Sequence, residues 1–131
     1  MPRAHWKLKP KDCDAVNDMA TTVHLSCRDK GWYTDLKTLQ PIDRNIPEML
    51  ALMHSEISEM LEAHRKDLMD SHIKHRKGIE VEAADLFIRL LDFCGYLGLD
   101  LGRATYEKFD YNQMREDHKI ENRQKPGGKT I

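Results

Sequence analysis

Two acid pairs carry the chemistry of this sequence: Glu56-Ile-Ser-Glu59 and Glu82-Ala-Ala-Asp85. On a helix, residues three apart are neighbours, with Cβ atoms about 5–6 Å from one another. Like charges so placed repel, and two such pairs facing each other repel more. Hard divalent cations relieve that repulsion, because Mg²⁺ and Mn²⁺ take oxygen ligands. Glu56, Glu59, Glu82 and Asp85 therefore form a candidate ligand set for Mg²⁺, with Mn²⁺ as the alternative. A redox di-iron centre is the rival. It asks for Glu-x-x-His on facing helices, and none of the seven histidines follows a glutamate by three residues. The ordinary alternative is a solvated helix face. It is the stronger reading for Glu56/Glu59 taken alone and the weaker one for Glu82/Asp85, whose helix has little polar surface to spare.

Four helices are expected to position these groups. The first runs from about Asp14 to Lys30, with Ala15, Val16, Met19, Val23 and Cys27 at helical spacing, a cap from Asp12 or Asp14, and Gly31 as its stop. The second starts sharply. Asn45 is an N-cap, Pro47 sits in the first turn, and Glu48 completes a capping box. Its apolar stripe is Ile46, Met49, Leu50, Met53, Ile57, Met60 and Leu61, and it ends near Lys66. A basic connection closed by Gly78 leads to the third helix, Ile79 to Leu97, stopped by Gly98. The fourth is capped by Asp100 and runs to about Glu116. Helices joined in this way predict an all-α, four-helix-bundle-type protomer.

The third helix is apolar nearly all round except for Glu82, Asp85, Arg89, Asp92 and Tyr96. At about 100° per residue these fall within one arc of roughly 80°. Such a stripe must face water, a partner charge or a metal, because an unpaired buried carboxylate is costly. Glu62 and Glu80 lie off the arcs and read as surface acids.

The chain has 131 residues and a formal net charge of −1. That size predicts one domain spanning 1–131, with 1–12 and 118–131 flexible, and a modest core that a partner subunit would complete. The charge gives no pull toward nucleic acid or an anionic membrane. No apolar run approaches the ~20 residues that span a bilayer, and the basic N-terminus lacks the apolar core of a secretory signal. Cys13, Cys27 and Cys94 lack metal-site spacing and read as reduced thiols of a cytoplasmic protein.

The segments NIPEMLALMHSEISEMLEAHRK, EVEAADLFIRLLDFCGYLGLDL and YEKFDYNQMR together resemble the MazG-like nucleotide pyrophosphohydrolases of the all-α NTP pyrophosphatase superfamily. That family carries ExxE on one helix and ExxD on the next, matched by Glu56/Glu59 and Glu82/Asp85, and then a Lys and an Asn one turn apart, matched by Lys108 and Asn112. The likeness covers about Val23 to Arg115; the first ten or so residues lie outside it. It implies hydrolysis of a nucleoside triphosphate between the α and β phosphorus atoms, giving a monophosphate and pyrophosphate, in a homodimer or homotetramer.

Triphosphate and carboxylates repel, so cations must mediate. Glu59 is the candidate proton acceptor for an attacking water, although the sequence does not separate base from ligand. Lys108, Asn112 and Arg115 share a face of the fourth helix and are candidate phosphate or sugar contacts. Trp32 follows the first helix, where the resemblance places base contacts, and a plug at the bundle end is its alternative. His24 reads either as a nucleotide contact or as a satisfied interior histidine. Two other readings stay open: a dUTP- or dCTP-directed pyrophosphatase of the same superfamily, and a non-catalytic helical module that binds nucleotides or a protein.

Overall fold

A computed structural model describes residues 5–131; Met1–Ala4, part of the segment expected to be flexible, lie outside the described residues. The order is α1 (Pro10–Asp29), α2 (Ile46–Lys66), α3 (Gly78–Leu97), α4 (Leu101–Met114), a 3-10 turn (Glu116–His118) and α5 (Ile120–Arg123). Among the described residues there is no extended strand, only isolated bridges at Thr34–Pro41 and Met69–Lys77. The chain is all-α, as expected, and no described helix is long and apolar enough to cross a membrane.

The caps explain the helix limits. The Asn45 side chain accepts from the Glu48 N–H at 2.9 Å, and Asp100 accepts from the Arg103 N–H at 2.9 Å. Gly98, at φ 66°, ends α3 in the left-handed region, where a glycine carries no Cβ penalty. Two limits differ from expectation. α1 begins at Pro10, because Asp12 reaches back to the Lys9 N–H at 2.7 Å from the third helical position. α4 ends at Met114, because Arg115 is extended and its guanidinium grips Asp117.

The contacts divide the chain into two compact units, residues 18–99 and the remainder, with one division inside α1. In the unit of residues 18–99, α2 and α3 lie against each other as an antiparallel hairpin. Their connector is tied at both ends. Leu68 N–H donates to the Ala63 carbonyl at 3.0 Å, and Gly78 N–H donates to the Leu68 carbonyl at 2.8 Å. A Cβ on Gly78 would come within 3.1 Å of both Ala63 Cβ and the Leu68 oxygen, so a side chain there would push its neighbours by a few tenths of an ångström. The last turns of α1 approach α3 still more closely at Gly95, where a Cβ would lie 2.5 Å from His24 Cβ. In the other unit, the Asn17 side chain bridges Asp100 and the Gly102 N–H at 2.7 and 2.9 Å. Arg123 holds the carbonyls of Lys129 and Thr130, each at 3.0 Å.

The core is thin. Ala20, Tyr33, Met49, Ala63, Leu91 and Cys94 are buried, and no large side chain among the described residues is fully enclosed. The α2 stripe predicted to be interior is half open, with Leu50, Ile57 and Leu61 exposed. Phe87 and Ile88 of α3 are exposed as well, although that helix is apolar nearly all round. Apolar periodicity identifies the faces that avoid water; in a single chain of this size there is too little material to cover them all.

Candidate functional site

The α2–α3 hairpin turns the acid pairs toward one another. One carboxylate oxygen each from Glu56, Glu59 and Glu82 lies within 4.8 Å of the others. Glu56 is buried, Glu82 partly buried and Glu59 exposed, so the cluster opens to solvent on the Glu59 side. Asp85, the fourth expected ligand, is not part of that group. It is exposed one turn further along α3 and lines the adjoining groove with Glu56. Its carboxyl is pushed up by burial and by the Glu56 charge, with Arg89 partly offsetting both.

The three carboxylates crowd one another. Glu82 is pushed up to about 7, first by burial and then by Glu59 and Glu56 beside it. A proton shared among crowded carboxylates relieves repulsion when no cation does so. Arg89, the next polar residue of the α3 stripe, donates from Nε to Oε1 of Glu56 at 2.6 Å. The donor set suits a hard divalent ion: clustered oxygens, no histidine or cysteine among them, and an open side.

From Glu56 a groove of about 630 Å³ runs over the same unit. Trp32 and Arg44 come to it from the loop after α1, Glu48 and Met49 from α2, and Asp85 and Arg89 from α3. The loop that presents Trp32 is built by its own bonds. The Tyr33 carbonyl accepts from the Ile42 N–H at 3.0 Å, and Asp35 Oδ1 accepts from the Lys37 and Thr38 N–H groups at 2.8 Å. Trp32 is 63% exposed, so its ring is a groove wall, and the plugging role weighed above does not describe it. Trp32, Glu56 and Asp85 thus share one concavity, with Glu59 and Glu82 in the cluster at Glu56.

His24 stands elsewhere. Its Nδ1 donates to Asp92 Oδ1 at 2.9 Å, and Tyr33 donates its hydroxyl to Asp92 Oδ2 at 2.8 Å. The His24 and Tyr33 rings meet edge-on at 4.9 Å, and Tyr33 lies 4.8 Å from Tyr96. This is the satisfied interior arrangement; His24 is not among the groove-lining residues. Burial and Asp92 raise the Tyr33 phenol above its usual range, and burial, followed by Asp92, raises the Cys27 thiol.

Compared with protein-family models, curated proteins and solved structures, the chain gives no match.

Lys108, Asn112 and Arg115 belong to the other unit. Lys108 Nζ sits 4.9 Å from the Tyr111 ring centroid. Asn112 Oδ1 is buried without a hydrogen-bond partner. Arg115 is committed to Asp117, through Nε at 2.9 Å and Nη2 at 2.7 Å. Glu62 pairs with Lys66 and Glu80 with Arg76, the surface roles expected of both. Arg44, Glu48 and Arg89 also line the groove, outside the expected site set. Arg44 lies in a loop with no periodicity to reveal its direction. Glu48 was accounted for by its place in the cap. Arg89 did have a signal, its position one turn after Asp85 in the polar stripe.

Proposed function

We propose that this chain is a divalent-metal-dependent nucleoside triphosphate pyrophosphohydrolase, converting an NTP or dNTP and water to the monophosphate and pyrophosphate. The observation that carries the reading is the convergence of Glu56, Glu59 and Glu82 beside a groove with a tryptophan and two guanidinium groups on its walls. The resemblance of the ordered ExxE and ExxD helices to MazG-like enzymes supports the same activity.

In this reading Glu56, Glu59 and Glu82 hold Mg²⁺ or Mn²⁺, with Asp85 available from the next turn of α3. The ion supplies positive charge to the phosphates and makes a water more acidic. The protein's residues do the rest. Glu59, the exposed member, would accept a proton at its carboxylate. Trp32 offers a planar face to a base, and Arg44, whose N–H donates to the Tyr96 hydroxyl at 3.0 Å, has its loop fixed beside it. Exposed Leu50, Ile57, Leu61 and Phe87 are the apolar surface that a second copy would cover, so the reading includes a homodimer or homotetramer of bundle-type protomers. Three free thiols fit a cytoplasmic setting.

Pyrophosphate release from a panel of NTPs and dNTPs, with Mg²⁺ and with EDTA, tests the activity. Metal-dependent release that is lost in Glu59→Gln and Glu82→Gln is the expected result. Nucleotide binding without turnover would reduce the chain to a binding module, and release indifferent to EDTA would remove the metal from the account.

A further inference from the structure

Arg89 uses its guanidinium sparingly. Among the described residues it makes one hydrogen bond, from Nε to Oε1 of Glu56 at 2.6 Å. The Glu56 side chain is 8% exposed, whereas that of Arg89 is 40% exposed and lines the groove. A guanidinium carries five N–H donors in a planar fork, so bonding through Nε leaves both Nη groups uncommitted. A counter-charge alone would not need this arrangement, since a lysine ammonium neutralises a carboxylate as a point charge. The fork is the form that matches phosphate oxygens.

We infer that Arg89 is a substrate-binding residue whose Nη donors take a phosphate oxygen of the triphosphate while its Nε holds Glu56. One side chain then ties the phosphate chain to a carboxylate of the metal set. The inference rests on the proposed pyrophosphohydrolase reading for the identity of the anion. Its geometric basis is independent of the base, so the probe needs none.

The test uses the full chain with inorganic tripolyphosphate and Mn²⁺, followed by calorimetry, alongside the nucleotide panel. Arg89→Lys keeps a cation for Glu56 but loses the fork. It is expected to retain the thermal midpoint and the Mn²⁺ affinity of the wild type, to lose about tenfold or more in tripolyphosphate affinity, and to raise KM more than it lowers kcat. Should Arg89→Lys fail to fold, Arg89→Gln, which keeps an N–H for Glu56, takes its place with the same expectation. Tripolyphosphate binding within about twofold of wild type in the folded variant overturns the inference and leaves the pyrophosphohydrolase reading untouched. Loss of tripolyphosphate affinity in a chain whose wild type hydrolyses no nucleotide supports Arg89 and removes the nucleotide from the reading. No metal-dependent tripolyphosphate binding by the wild type overturns the inference outright.

Discussion

One stripe on α3 leads to two unlike places. At its C-terminal end, Asp92 is buried and each of its oxygens accepts a bond from a neighbour, His24 and Tyr33. At its N-terminal end, Glu82 faces Glu56 and Glu59, which bring only acceptors, and its carboxyl is pushed up to about 7. Asp92 lines the groove, as do Asp85 of the same stripe and Glu56 of the acid cluster. The difference lies in what the neighbours donate. An acid with donors on every lone pair that matters is complete and holds helices together. An acid surrounded by acids gains no such donors, and its neighbours' charges favour the protonated form. Arg89, between the two ends, supplies a single charge to Glu56 and leaves the rest of the cluster unbalanced.

The sharpest way to break this contrast is to neutralise each end and compare activity. Glu59→Gln or Glu82→Gln is expected to lower metal-dependent pyrophosphate release by about a hundredfold or more. Asp92→Asn is expected to leave Mn²⁺ affinity, read by electron paramagnetic resonance, as it is in the wild type. If Asp92→Asn weakens Mn²⁺ binding as much as Glu82→Gln does, the stripe is one site and not two.

Stability should respond in the opposite order. Asp92→Ala removes the acceptor of two donors in a covered position and is expected to cost about 3 kcal/mol by urea denaturation. Glu82→Gln in EDTA at neutral pH removes a charge from a crowded cluster and should cost nothing or stabilise. Equal losses at the two positions would mean that the acid cluster is also a structural element.

The pH dependence sharpens the same point. Glu82 starts from 4.5 and is held near 7 in the fold, so between those values the folded state keeps a proton that the unfolded state has released. Stability of the metal-free protein should therefore fall as pH rises from about 4.5 to about 7 and level off above that. Asp85, shifted upward as well, adds in the same direction. Asp35, Asp70, Asp100, Asp110, Glu116 and Asp117 are all lowered, so their opposite contribution falls at more acidic pH. Thermal midpoints in EDTA from pH 5 to 8 measure the slope, and Glu82→Gln should flatten it. A wild-type midpoint that rises across this window would contradict the crowding of the three acids.

The helices and the acid pairs were legible in the sequence because both depend on local spacing. Asn45, Asp100 and Gly98 mark their helix ends through bonds within a few residues. Glu56/Glu59 meets Glu82, with Asp85 one turn further along α3, because a single connector of residues 67–77 folds one helix back on the other. The stripe of Glu82, Asp85, Arg89 and Asp92 was visible too, but its division was not. Asp92 finds Tyr33 in a loop 59 residues away, and a partner that distant leaves no periodic trace. Arg44 is hidden for the same reason. The exposed Ile57 and Leu61 show the converse limit: spacing tells which face is apolar and says nothing of what covers it.

The smallest effect tests the completeness of Asp92 itself. Tyr33→Phe deletes one hydroxyl and keeps the ring, so the contacts at 4.8 Å to Tyr96 and 4.9 Å to His24 remain. The loss is then a hydrogen bond to a carboxylate, about 1.5 kcal/mol, with Asp92 still held through His24. Because that bond belongs to the saturated end of the stripe, the acid cluster should not register it, and Mn²⁺ affinity should match the wild type. A Tyr33→Phe variant of unchanged stability would mean that Asp92 is served by water instead of by the phenol. A variant with weakened Mn²⁺ binding would mean that the two ends of the α3 stripe communicate.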